Sequence, residues 1–145
     1  MKTVNEMKLS FPSKSRNEAF ARAAAAAFIA PLDPTVSELS DLKTAVSEAV
    51  TNAIVHGYRR ECGTVFLTGR ITADNRVIFK IRDKGVGIAD VERAMEPLFT
   101  TAPEEERSGL GFSVMQSFMD KVRVKSAPDK GTTVTMRKRL SAHGD

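Results

Sequence analysis

Cysteine and histidine are scarce in this 145-residue chain: Cys62 is the only cysteine, and His56 and His143 are the only histidines. A lone thiol rules out an intrachain disulfide, and with so few soft ligands a closed structural zinc site cannot be assembled. Long apolar runs are missing too. The longest, Ala23 to Ala30, falls well short of the roughly 18 residues that a membrane-spanning helix needs. Lys14, Arg16 and Arg22 precede it, but Glu18 and Arg22 interrupt the approach and the run starts late, which does not suit a signal peptide; a cytoplasmic protein is expected. Excess charge of one sign is small, with 22 Lys and Arg against 18 Asp and Glu for a net +4. That balance lacks a polybasic arm and argues against a dedicated nucleic-acid binder. What is present, 41% hydrophobic and 28% charged residues, fits one soluble domain with one core. No repeat, linker or low-complexity tract divides it, so residues 1–145 are read as a single domain.

Apolar and polar side chains alternate along Met7-Lys8-Leu9-Ser10-Phe11, the period of a strand with one buried face. Ser15 with Glu18 three residues on is a capping-box pattern, and the alanine-rich stretch after it predicts a helix from Arg16 to Ala30, stopped by Pro31. Thr35 and Glu38 repeat the pattern after Pro34 and open a second helix, for which Gly57 predicts a left-handed cap. Leu42, Ala45, Val46, Ala49, Val50 and Ala53 form its apolar stripe. At about 100° per residue, Glu48 and Asn52 share one lateral edge of that stripe, at the margin of the core.

Thr64 to Ile71 and Arg76 to Arg82 read as strands joined by the turn Thr72-Ala73-Asp74-Asn75, hence as an antiparallel pair. Glycines and prolines punctuate the stretch from Gly85 to Gly111, apart from a helical patch at Val91 to Met95, and predict a long functional loop. A helix from Leu110 to Met119 and strands at Lys121 to Ser126 and Thr132 to Arg139 complete the pattern. The order β-α-α-β-β-loop-α-β-β, with hairpins in place of regular crossovers, predicts helices on one face of a mixed, mostly antiparallel sheet. That is a two-layer α/β sandwich and not a doubly wound fold.

No Gly-Lys dipeptide occurs, which excludes a P-loop, and Val114 stands where a dinucleotide fingerprint starting at Gly109-Leu110-Gly111 needs its third glycine. The His-Arg-Asp and Asp-Phe-Gly motifs of eukaryotic-type kinases are missing as well. Four other features can carry chemistry. Glu48-Ala-Val-Thr-Asn52 sets a carboxylate and an amide one helical turn apart; the first suits proton abstraction from a hydroxyl or water, the second suits Mg²⁺. The same pair also describes the polar edge of any amphipathic helix. Asp83-Lys84-Gly85-Val86-Gly87 places an acceptor carboxylate, fit for the exocyclic amine of adenine, before glycines that allow close backbone approach; an ordinary strand-to-loop turn looks alike. Ser108-Gly109-Leu110-Gly111-Phe112 runs into a helix whose free N–H groups and dipole suit phosphate oxygens. Gly131-Thr132-Thr133 opens the last strand with hydroxyls that can close over a base or stabilise a bulge or turn.

In this order and on these elements, the four resemble the ATP-binding boxes shared by gyrase, MutL, a heat-shock chaperone and histidine kinases, whose Bergerat fold lays helices on a mixed sheet. Closer matches are Leu32-Asp33-Pro34-Thr35, Ser47-Glu48-Ala49-Val50-Thr51-Asn52-Ala53-Ile54 and His56-Gly57-Tyr58. With Pro97-Leu98-Phe99-Thr100-Thr101 and Arg107-Ser108-Gly109, they resemble the anti-sigma F factors of spore-forming bacteria over essentially the whole chain. Arg59-Arg60-Glu61-Cys62 departs from the more Asn- and Pro-rich turn of that family.

The resemblance implies a homodimeric serine kinase that holds the sporulation sigma factor F inactive and uses ATP with Mg²⁺ to phosphorylate an anti-anti-sigma factor on serine. It implies Glu48 as general base, Asn52 as the Mg²⁺ ligand, Asp83 as the reader of adenine, and Gly87 and Thr132 near the base. Thr100, Thr101, Ser108, Gly109, Leu110, Gly111 and Phe112 would form the lid and its hinge around the phosphates. Arg107, in that lid, would meet the γ-phosphate or the partner, and Arg22 on the first helix would face the protein partners. If ATP and ADP order the lid from Pro97 to Ser108 differently, the two states present different surfaces to competing partners. The alternatives are a related stress-response anti-sigma kinase, an ATPase in which Glu48 activates water, and a non-catalytic interaction module. A complete histidine kinase is disfavoured, since no helical hairpin carries a phosphoacceptor histidine.

Overall fold

The strand-period alternation read from the sequence becomes a two-sided sheet. The structure is a computed structural model that describes residues 2–59, 61–96 and 111–141. Its strands are β1 (Thr3–Pro12), β2 (Thr64–Thr72), β3 (Arg76–Asp83), β4 (Lys121–Ser126) and β5 (Thr132–Arg139). Val65, Leu67 and Ile71 of β2 and Val77, Phe79 and Ile81 of β3 are buried, whereas Arg70, Arg76, Lys80 and Arg82 between them are exposed. One face therefore meets the core and the other stays open. The sheet order is β1-β2-β3-β5-β4 and every pairing is antiparallel. The expected two-layer sandwich is present. Its sheet contains no parallel pair among the described residues, because even the long helical connection from β1 returns the chain in the opposite direction to form β2. β1 also outruns its apolar alternation: backbone pairing with β2 extends it from Thr3↔Thr72 to Pro12↔Thr64.

The helical layer is α1 (Arg16–Ile29), α2 (Val36–Thr51), the single turn α3 (Val91–Ala94) and α4 (Phe112–Phe118). Ala21, Ala25 and Ile29 of α1 and Leu42, Ala45, Val46, Ala49 and Val50 of α2 are buried against the sheet. Alanine at so many contact positions lets both helices lie close, and Phe28 fills the space that Gly69 leaves on β2, where a Cβ would come within 2.9 Å of its ring. Phe112 and Met115 of α4 close the end of the same core.

Two identical capping patterns have different fates. At α2 the box forms: the Thr35 hydroxyl accepts from Glu38 N–H at 3.0 Å, and Glu38 accepts from Thr35 N–H at 2.9 Å. At α1 it does not, because Ser15 is itself helical (φ −53°, ψ −36°) and cannot turn its side chain back over the first turn. Glu18 instead accepts from the Ser47 hydroxyl of α2 at 2.6 Å and pairs with Arg22 at 3.6 Å, so it joins two helices. The predicted end of α2 also changes. Beyond Thr51 the chain widens into a π-turn over Asn52–Gly57, with Tyr58 N–H donating to Ala53 C=O at 3.1 Å. Gly57 is not a left-handed cap; the positive φ falls on Arg59 (56°), and Gly57 is needed for a different reason given below.

Glu38 also accepts from the N–H and hydroxyl of Ser141, at 2.8 and 2.9 Å, which ties α2 to the chain beyond β5. Partial burial raises its pKa, but the hydrogen bonds from Thr35 and Ser141 outweigh that and hold it at about 2, against an ordinary 4.5. A depressed carboxyl stabilises the fold above its unfolded value and loses that contribution as pH falls toward its folded one. Urea denaturation should thus show stability lost between pH 4.5 and about 2, with Glu38→Gln removing this part of the slope. Thr35→Ala should cost about 1 kcal/mol at neutral pH.

Candidate functional site

The alternation of β3 carries an acid into the core. Val77, Phe79 and Ile81 point to the helices, and Asp83, next in the series, is only 5% exposed. Its Oδ1 accepts from Gly85 N–H at 2.9 Å. Burial pushes its pKa up, and the backbone N–H groups of Gly85 and Thr132 pull it part of the way back. The π-turn closes on this carboxylate. A Cβ on Gly57 would lie 2.7 Å from the Asp83 carboxyl, and one on Gly85 would lie 1.9 Å from the Gly57 carbonyl oxygen. With no side chain at either position, Val86 N–H reaches that carbonyl at 2.9 Å. The Tyr58 hydroxyl adds a staple by accepting from Lys84 N–H at 2.7 Å.

Between the π-turn and the sheet lies a cavity of about 250 Å³. Ala49, Ile81, Ile88, Phe112 and Val134 give it apolar walls; Asn52, Asp83 and Thr132 supply the polar groups, and Gly87 lies on its rim. This is the composition of a small-molecule site, and its size and single buried acceptor fit a planar heterocycle with an exocyclic amine. The Thr132 hydroxyl is held at 2.8 Å from Ser126, which also accepts from Ile88 N–H at 2.8 Å. Ser126 was not legible as a site residue, because its place depends on the register Ser126↔Thr132. His56 and Arg59 line the same cavity, although the motif His56-Gly57-Tyr58 carried no site role for either; burial first, then Arg59, lowers the pKa of His56 and favours a neutral imidazole.

Glu48 sits elsewhere. It is one turn from Asn52 on α2, half-buried as the helical edge predicted, but it lines a neighbouring groove of about 330 Å³ together with Arg22, Lys43, Thr44 and Ser47. Gly111, at φ +63°, brings the start of α4 against it; a Cβ there would fall 2.5 Å from Glu48 Oε1. Burial, and secondly Glu18, raises the pKa of Glu48. The structure thus gathers Asn52, Asp83, Gly87, Phe112 and Thr132 around one cavity, and Glu48 with Arg22 in the groove next to it, while Gly111 abuts Glu48. Thr100, Thr101, Arg107, Ser108, Gly109 and Leu110 lie outside the described residues.

No cluster of three or more His, Cys, Asp or Glu suited to a metal occurs among the described residues. The Asn52 amide oxygen fits a cation that arrives with phosphates, since Mg²⁺ keeps several waters and takes few protein ligands.

Helices on one face of an antiparallel sheet, with a base-sized slot at the end of α2, define a nucleotide-binding domain, and residues 11–138 match the family described as a histidine kinase-like ATPase domain. In sequence the chain is 53% identical over 142 residues to the anti-sigma F factor of a Thermoanaerobacter species, covering 98% of this chain and 99% of that one. To the anti-sigma F factor of Bacillus subtilis it is 54% identical over 139 residues, 94% of each. In fold it matches the crystal structure of the RsbU and RsbW domains of a Mycobacterium tuberculosis protein, with a TM-score of 0.69 at 19% identity over 96% of this chain and 33% of that one. The chain belongs to the anti-sigma F factor family, within the histidine kinase-like ATPases.

A carboxyl whose folded pKa is raised binds its proton more tightly in the folded state, so ionising it costs stability as pH rises past the unfolded value. Glu48 is such a group. Glu48→Gln should therefore be at least as stable as the parent at pH 7 in urea denaturation; a clear loss of stability would contradict this account of its surroundings.

Proposed function

We propose that the chain is an ATP-dependent protein-serine kinase that binds and inhibits the sporulation sigma factor F and phosphorylates its anti-anti-sigma factor, working as a homodimer in the cytoplasm. One observation carries the reading: Glu48, half-buried, faces the groove that also holds Arg22, one helical turn from the Asn52 edge of the base-sized slot. A proton acceptor between a nucleotide slot and an open groove is what transfer to a protein hydroxyl requires. The names of the relatives support the choice of partners.

Bound ATP supplies the phosphoryl group, and Mg²⁺ the positive charge its phosphates need. In the slot Asp83 accepts from the exocyclic amine of adenine, while Ile81, Ile88, Val134 and Phe112 keep water from the ring. Asn52 would hold the cation through its amide oxygen. Glu48 orients the incoming serine hydroxyl and takes its proton; the proton affinity that burial confers makes the ionised carboxylate a better acceptor. Arg107 adds positive charge where the transferring group develops negative charge. We assign Thr100, Thr101, Ser108, Gly109, Leu110, Gly111 and Phe112 to the lid and its hinge around the phosphates, and Arg22 to contacts with the protein partners.

The test is incubation with γ-labelled ATP, Mg²⁺ and the anti-anti-sigma protein, read as acid-stable label on serine. Glu48→Gln should keep ATP binding and lower transfer by about 10²- to 10⁴-fold, the usual share of a general base. Undiminished transfer by that variant would remove Glu48 from the mechanism, and free phosphate in place of labelled serine would make the protein an ATPase. Arg22→Ala should weaken sigma-factor binding about tenfold, the loss expected of a moderate interface contact.

A further inference from the structure

The open face of the sheet carries a charge array that the net charge of +4 conceals. Residues directly paired across antiparallel strands share a face, so the register lists its rows. Lys8, Thr68, Lys80, Thr135 and Arg123 form one row from β1 to β4. In the next, Phe66 is followed by Arg82, Thr133 and Lys125; on the other side, Ile78 is followed by Arg137 and Lys121. Seven cations in these rows are exposed and none has an acidic partner within ion-pair distance among the described residues; Glu6, the one acid on the three rows, is taken by Arg70 at 2.7 Å. A pI of about 9.4 with Lys and Arg gathered on one face is the electrostatic footprint of a nucleic-acid binder.

We infer that this face binds the phosphate backbone of duplex nucleic acid without reading sequence. The cations recur at every second residue, about 6.7 Å apart along a strand, in successive rows. An occupant must offer regularly repeated anions across more than one row. A polynucleotide does so along its whole length. Thr133 and Thr135, set between the cations, add hydroxyl donors of the kind that position phosphates. Single-strand stacking is disfavoured, since the one aromatic ring on the face, Phe66, is already covered by Arg82 at 5.5 Å and Lys84 at 5.4 Å. A membrane surface is disfavoured as well. Phe20, Val36, Val55 and Val114, the large exposed apolar side chains, lie in the helical layer, with Val4 on the opposite edge strand from β4, and stable anchoring needs an apolar signal beside a polybasic one. This inference goes beyond the expectation drawn from net charge alone, and it is independent of the proposed kinase activity.

Fluorescence anisotropy of a labelled duplex of arbitrary sequence, titrated with the full chain between about 50 and 200 mM salt, tests it. With about four phosphates neutralised, log K should fall against log salt with a slope near −4. Lys80→Gln with Arg123→Gln should reduce that slope by about 2, whereas Lys14→Gln with Arg16→Gln, an equal loss of charge off the sheet face, should leave it unchanged. If the sheet double variant fails to fold, Lys125→Gln on the edge strand should reduce the slope by about 1. Absence of salt-dependent duplex binding, or equal effects of the two double variants, overturns the inference. So does retention by phosphatidylglycerol vesicles or polyglutamate with no binding to the duplex.

Discussion

The closure of the π-turn onto Asp83 is the contact on which the rest of the site depends. Gly57 and Gly85 meet where neither can carry a side chain, and the hydrogen bond from Val86 N–H to the Gly57 carbonyl locks the end of α2 to the end of β3. That single approach does three things. It buries the Asp83 carboxylate, it turns Asn52 and His56 toward the same cavity, and it places Glu48 one turn back, outside that cavity but beside it. The widened turn is a local departure from regular helix geometry of the sort that recurs at functional sites.

Charge is divided between the two layers. On the helical side burial acts on the two acids of the site: Glu48 and Asp83 are pushed up, while Glu18 accepts from Ser47 and holds Arg22. The open sheet face keeps its charges solvated and nearly all of one sign. Desolvation dominates the first set and solvent exposure the second, so the two kinds of charge lie on opposite faces of the sheet.

Much of the fold was legible because its signals are local. The strand alternation, the hairpin at Thr72 to Asn75 and the box at Thr35 and Glu38 each depend on residues a few positions apart. The limits of that reading are clear at Ser15 and Glu18, which spell the same box and do not form it, because Ser15 is itself helical and Glu18 accepts from Ser47 of another helix instead. Gly57 suits a left-handed cap by sequence, yet its role is to admit a neighbour. Ile88, and Ser126 behind Thr132, carried no signal, and His56 stood in a quoted motif without a site role, since only strand register and the π-turn set their places at the cavity.

By itself the sequence determined which elements form and which residue types are available: the helical edge with Glu48 and Asn52, the acid at the end of β3, and the glycines that permit close contact. Periodicity, capping chemistry and backbone freedom act over a turn or a few residues, and so they can be read along the chain. Only tertiary structure decided which acid is buried in the slot and which faces the groove, which capping pattern forms, and that scattered lysines and arginines on β1, β3, β4 and β5 become one array. Burial, steric exclusion and charge summation depend on distances between segments, and those distances exist only once the strands have paired and the helices have packed.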